Sequence, residues 1–323
     1  MTPSGHDSRV GAVMNRLTSS WRAKDRDTRG ASVLFGSGRS GTTWLLQELV
    51  RLTAARPIFE PFHPIEVQRS GEVVPRGYLP PGTRDETLRQ HVGDVLAGRF
   101  DAPWLHQCVP LDGHSRTDAR VIKEIHSHLW GGWLQAEFPQ VPMAVVVRHP
   151  LAQVGSRSAL AWTDAKLDRI LADERLIEEH APNLPALAAS AASPLERGVL
   201  LWAIDNRVLL RTLAPRSVFL FGYEEAVAEP QVVGDLVVHL GHQRPADDAL
   251  ASHDRERASV MSQPGSPARS AGDENAKWLA AARADEVGRA LGLLEELGLG
   301  GVFGAGGDSD MDAFRQLYRA GLH

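Results

Sequence analysis

The stretch Gly36-Ser37-Gly38-Arg39-Ser40-Gly41-Thr42-Thr43-Trp44 stands between an apolar run at 31–35 and an amphipathic segment that opens with Trp44-Leu45-Leu46 and continues through Leu49-Val50. The run predicts a strand and the segment a helix, so the glycine and hydroxyl cluster falls where one hands over to the other. A turn of this kind leaves backbone N–H groups at the helix N-terminus pointing outward, where they favour an anion. The loop therefore predicts a phosphate cradle.

Three kinds of loop fit these letters. In the pattern G-x-x-x-x-G-K-[ST], Gly36, Gly41 and Thr43 match, but Thr42 occupies the lysine position, and a nucleoside triphosphate hydrolase would lack its γ-phosphate cation. In the pattern G-x-G-x-x-G all three glycines match, and Glu60 lies near the place of the ribose-binding acid of a dinucleotide fold. The third reading gives weight to Arg39 and to the run from Ser40 to Trp44. It resembles the 5'-phosphosulfate loop of sulfotransferases that use 3'-phosphoadenosine 5'-phosphosulfate (PAPS).

Composition bounds the rest. With 323 residues, 43% hydrophobic and 23% charged, the chain has material for one large α/β domain, expected over 31–323 behind a polar, flexible lead-in at 1–30. A formal net charge of −5 argues against a general nucleic-acid binder, so phosphate binding has to be local. Cys108 is the only cysteine, which excludes an intramolecular disulfide framework and suits a reducing compartment. The basic lead-in has no continuous apolar core, so neither a signal peptide nor a membrane anchor is expected, and the protein reads as cytoplasmic.

Along the chain, strand patterns at 31–35, 56–59, 120–125, 142–147 and 217–221 alternate with helical ones. The helices are expected after Trp44, around 86–97, through Leu129, Trp130, Trp133, Leu134 and Phe138, from Pro150, over 194–213, 230–240 and 274–297, and at the C-terminus. Two prolines in Glu60-Pro61-Phe62-His63-Pro64 predict a loop after the second strand. Segments 70–118 and 163–193 read as insertions framing a substrate site, the second with two short helices, and 246–273 reads as a long loop. The expected fold class is α/β: a central parallel sheet of about five strands with helices on both faces and a ligand site at the strands' C-terminal ends.

A second signal leaves the fourth strand. In Val145-Val146-Val147-Arg148-His149-Pro150 an arginine sits at the strand tip, and Ser156 follows two helical turns on, a bidentate phosphate ligand and a hydroxyl donor. This resembles the 3'-phosphate motif of PAPS-dependent sulfotransferases in both residue types and spacing. Downstream, Phe219-Leu220-Phe221-Gly222-Tyr223-Glu224-Glu225 with Pro230, and Lys277-Trp278, are similar to later segments of the same family. The pieces run in the family's order over most of the chain.

The resemblance implies a P-loop-like sulfotransferase, closest in motif style to bacterial and carbohydrate-type members. It would move a sulfuryl group from PAPS to a hydroxyl of a small-molecule, sugar or lipid acceptor, releasing 3'-phosphoadenosine 5'-phosphate (PAP). By the same resemblance Gly38, Arg39, Ser40, Gly41, Thr42 and Thr43 hold the 5'-phosphate, with Arg39 also stabilising the leaving group. Trp44 and Tyr223 lie by the adenine, and Arg148 and Ser156 hold the 3'-phosphate. For the base, Glu60 in Phe59-Glu60-Pro61 is similar to the proposed glutamate of carbohydrate sulfotransferases. His126 in Lys123-Glu124-Ile125-His126 is loosely similar to the histidine of cytosolic ones, with one extra residue after the lysine. His63 is a third candidate. No metal-ligand pattern is present, and no metal is expected.

Overall fold

The computed structural model describes residues 27–71, 74–107, 118–158, 165–251 and 282–322. The lead-in up to 26, Cys108, Lys277-Trp278 and nearly all of the loop expected at 246–273 lie outside them. Five strands form one parallel sheet in the order β2-β3-β1-β4-β5. They are β1 (Ala31–Gly36), β2 (Arg56–Phe59), β3 (Arg120–Glu124), β4 (Met143–Val147) and β5 (Val218–Gly222). β1 is central, with Leu34 opposite Lys123 on one side and Ala144 on the other.

Both faces of the sheet are covered, which explains why the strands read as continuous apolar runs. Alternation along β1 sends Val33 and Phe35 to one face and Leu34 to the other, all fully buried. The Leu34 face is closed by α1 (Thr42–Thr53), through Leu45, Leu46 and Leu49. After β2 the chain does not stay in a loop. Pro64 opens a short helix α2 (Pro64–Arg69), with His63 as its N-cap, because proline at the first helical position forfeits no hydrogen bond. Helix α3 (Glu86–Leu96) follows, capped by Asp85, and then a 3-10 turn, Pro103–His106, runs beside β2.

β3 leads through the 3-10 turn His128–Trp130 into α4 (Gly131–Glu137), and β4 leads into α5 (Pro150–Ser158). The segment expected to carry two short helices holds three: α6 (Ala165–Leu171), α7 (Glu174–His180) and α8 (Leu184–Ser190). Asp173 divides the first two by accepting from the Leu176 N–H at 3.1 Å, an N-cap that restarts the helix. α9 (Pro194–Thr212) fills the Val33 face, entered through Ser193 and Pro194 and burying Trp202, Leu200 and Leu209.

β5 runs into α10 (Tyr223–Ala228) and α11 (Pro230–His239), which join α1 on the Leu34 face. A further short helix, α12 (Asp247–Ala251), occupies the start of what reads in sequence as a loop. The last elements are α13 (Ala284–Glu296) and α14 (Met311–Arg319). Arg315 of α14 donates to the Leu220 carbonyl at 3.0 Å and pairs with Glu225 at 2.5 Å, tying the C-terminal helix to the exit of β5.

At the start of β3 Arg120, 2% exposed, donates to the carbonyls of Leu96 (2.8 Å), Asp118 (2.6 Å) and Asp27 (2.6 Å). A buried guanidinium needs such partners, and these fasten the strands' N-terminal ends. The C-terminal ends carry the motifs. Among the described residues no helix is long and apolar enough to cross a membrane.

Candidate active site

The loop after β1 is held in a conformation that side chains rarely choose. Arg39 has φ 76° and Gly41 φ 79°. For arginine this left-handed geometry costs roughly 1–2 kcal/mol, so neighbouring bonds have to impose it. The Ser40 N–H donates to the Ser37 carbonyl at 3.0 Å, the Gln153 amide to the Gly38 carbonyl at 2.5 Å, and Arg148 to the Arg39 carbonyl at 3.0 Å. Two of these three donors come from β4's exit and α5. The motif around Arg148 therefore shapes the loop as well as lying beside it.

Gly41 is the N-cap of α1 and offers no side-chain cap to the first N–H groups of the helix. Thr42 is buried and Thr43 half-buried. The Ser40 hydroxyl is buried and has no hydrogen-bond partner. An orphaned hydroxyl beside uncapped helix N–H groups fits a phosphate oxygen.

A Cβ on Gly41 would overlap the Tyr223 ring far inside van der Waals contact, and φ there is left-handed. Gly41→Ala is expected to cost about 2–3 kcal/mol of stability from strain and overpacking together, read by urea unfolding.

Arg39, Ser156 and Arg148 come together as one unit. The Arg39 Nε donates to the Ser156 hydroxyl at 3.0 Å, and Arg148 reaches the Arg39 carbonyl while its guanidinium lies 5.0 Å from the Tyr223 ring centroid. Trp44 meets the same tyrosine edge-on, with centroids 5.9 Å apart. Trp44 and Tyr223 are 2% and 4% exposed and belong to the same apolar cluster as Leu45, Phe221 and Val227.

The second half of the site lies at the exits of β2 and β3. Glu60 is again left-handed, φ 45°. Its N–H extends the ladder by donating to the Lys123 carbonyl at 2.8 Å, and its carbonyl accepts from the His63 N–H and the Trp104 indole N–H, both at 3.1 Å. Its carboxylate pairs with the Lys123 ammonium on one oxygen and meets His126 Nε2 at 3.3 Å on the other. Burial pushes the Glu60 carboxyl up, but the hydrogen bond from His126 and the charges of Lys123 and His126 outweigh it and hold the pKa at about 2. Glu60 is therefore ionised throughout the physiological range.

Lys123 is almost fully enclosed, its ammonium 4.3 Å from the Phe59 ring centroid, whereas the His126 side chain is 26% exposed. Glu124 is fully buried, which pushes its carboxyl up. It accepts from the backbone N–H groups of His126 and Phe62, stitching the two strand exits together. His63 stacks edge-on against His126 at 4.6 Å, and its Nδ1 accepts from the Glu66 N–H at 3.4 Å. Burial and the neighbouring His126 lower the His63 pKa. It serves as a helix cap.

Three contributors lie outside the residues picked from sequence: Lys123, Gln153 and Trp104. Lys123 had a readable signal, since a lysine following Val121-Ile122 in a buried strand is costly to bury without a partner. Gln153 and Trp104 had none, because each acts on a backbone carbonyl far away in sequence.

Fold and site together define an α/β protein whose Gly36–Trp44 loop sits at the centre of a parallel sheet, with Glu60, Lys123 and His126 on one flank and Arg39, Arg148 and Ser156 on the other. No family model matches the sequence, and no curated protein matches it. Solved structures do match. The chain is similar to the sulfotransferase domain from the curacin biosynthetic pathway, with 17% identity over 82% of this chain and 97% of that one, TM-score 0.43. It is similar to the sulfotransferase domain from the Synechococcus PCC 7002 olefin synthase, with 18% identity over 84% and 97%, TM-score 0.43. It also matches retinol dehydratase in complex with androsterone and inactive cofactor PAP, with 12% identity over 86% and 82%, TM-score 0.41. At such identities and scores the function has to be argued from the chain's own residues.

Proposed function

We propose that the protein is a sulfotransferase that moves the sulfuryl group of PAPS to a hydroxyl of a small-molecule, sugar or lipid acceptor. The observation that carries this reading is the bonded unit of Arg39, Arg148 and Ser156 at the uncapped N-terminus of α1. It offers two arginines and a serine hydroxyl to a ligand with two separate phosphate groups, one of them on a helix N-terminus. A triphosphate hydrolase would want a lysine where Thr42 stands.

The fit of PAPS rests on the loop itself: the orphaned Ser40 hydroxyl beside the uncapped N-terminus of α1 matches a 5'-phosphate. When bound, PAPS supplies an activated sulfuryl group whose S–O bond to that phosphate breaks on transfer. The N–H groups of 41–43, with the hydroxyls of Thr42 and Thr43, would hold the phosphate. Arg39 would neutralise charge growing on it, and Arg148 and Ser156 would hold the 3'-phosphate.

On the other flank Glu60 and His126 work as a pair. A carboxylate paired with the Lys123 ammonium is a weak proton acceptor at neutral pH. The hydrogen bond from Nε2–H to Glu60 assigns a tautomer that leaves a lone pair on His126 Nδ1. In this reading the acceptor's proton goes to His126, and Glu60 orients the ring and offsets the imidazolium charge. Lys123 fixes the carboxylate. Burial of Lys123 and Glu60 keeps water from loosening the arrangement.

A thermal-shift comparison of PAP, ATP and NAD tests the reading. PAP at a hundredfold excess over its dissociation constant should stabilise the fold by about 2.7 kcal/mol, a rise of several degrees in Tm, while ATP and NAD give little. Equal shifts for all three would refute it, as would failure to release PAP from PAPS with any hydroxyl acceptor.

A further inference from the structure

We infer that Trp104 is a positioning residue for the Glu60–His126 pair, a role that rests on the transfer reading above. Glu60 is the one residue of the pair whose backbone is strained, and a left-handed glutamate relaxes unless its peptide groups are held on both sides. The N–H side is held by the sheet, through the Lys123 carbonyl. The C=O side is held by the His63 N–H, which belongs to the same turn and moves with it, and by the Trp104 indole, which does not. Trp104 lies 44 residues downstream and is the long-range anchor of that carbonyl.

The anchor is itself well fixed. Trp104 is 7% exposed and sits on the 3-10 turn Pro103–His106, with Ala102 and Leu105 in the core on either side. Phe100 packs against the indole with centroids 5.8 Å apart, and His106 bonds Asp101 at 2.6 Å across the base of the turn. The segment expected only to frame an acceptor thus reaches the catalytic corner. It sets where the Glu60 carboxylate stands, and so which way the His126 ring turns. Trp104 touches no reacting atom.

The test removes the N–H and keeps the shape. In one variant position 104 carries 3-benzothienylalanine, in which sulfur replaces the indole N–H, and in a second it is Trp104→Phe. The nitrogen-15 resonance of His126 Nε2 should move toward that of an imidazole without a hydrogen-bond partner. PAP release from PAPS, with water or a simple hydroxyl acceptor, should slow about fivefold in kcat, the size of one buried hydrogen bond. The dissociation constant for PAP should stay within about twofold. In a Glu60→Gln background the same replacement should change kcat by less than about 1.5-fold, because a positioning effect vanishes with the group it positions.

An unmoved His126 resonance overturns the inference, and so does an equal loss of kcat in both backgrounds, which marks a purely structural tryptophan. If PAP does not bind even the unmodified protein, the transfer reading fails. The resonance still decides whether Trp104 places Glu60.

Discussion

Glu60→Gln is expected to lower PAP release from PAPS by about 10²–10³-fold while the affinity for PAP stays within about threefold. The amide keeps the size of the carboxylate but gives up the charge that faces Lys123 and His126. It also offers an N–H that can reverse the hydrogen bond and select the wrong imidazole tautomer, the kind of change that costs a histidine–carboxylate pair several orders of magnitude. His126→Ala should lose at least as much, since in the proposed mechanism the proton has no other seat within reach. Single-turnover measurement of PAP release, with calorimetric titration of PAP, separates chemistry from binding. Turnover near that of the unmodified protein in either variant would remove this pair from the mechanism.

On the other flank, Arg148→Ala should weaken PAP by about 10²-fold and adenosine 5'-phosphate, which lacks the 3'-phosphate, by less than about tenfold. Charge-assisted bonds of a guanidinium to a phosphate are worth about 1.5–3 kcal/mol, and only PAP offers the 3'-group to lose. A smaller loss common to both ligands follows from the structure, because Arg148 also supports the Arg39 carbonyl and lies over Tyr223. Arg148→Lys separates the two roles: a point charge keeps part of the phosphate attraction but cannot reproduce the fork. Calorimetric titration with the two nucleotides reads the difference. Equal losses for PAP and adenosine 5'-phosphate would mean that Arg148 only shapes the loop.

Much of this architecture is legible in the chain because its cause is local. The bounds of β2, 56–59, follow from a short apolar run ended by Glu60 and Pro61, and the loop at Gly36 follows from residues that tolerate positive φ and leave a helix uncapped. What stays hidden depends on distance or on direction. Pro64 reads as a breaker, yet it opens α2, since a proline's effect depends on whether a helix is ending or starting there. The burial of Trp44 is hidden too, because helical phase at a helix's first turn is fixed by what packs beneath it. Lys123 and Glu60 are 63 residues apart and meet only because β2 and β3 pair in parallel, with Phe59 opposite Lys123. Neither the pairing nor its register is written in any short motif.

The central place of β1 has a consequence for how such a protein changes over time. To its β4 and β5 side lie Arg148, Ser156 and Tyr223, and to its β3 and β2 side lie His126, Lys123 and Glu60. The strand and its loop form a dividing line between two half-sites that share one wall. Under the proposed function, substitutions in the segments over the β2 and β3 exits can change which acceptor is served while the donor side keeps its fit.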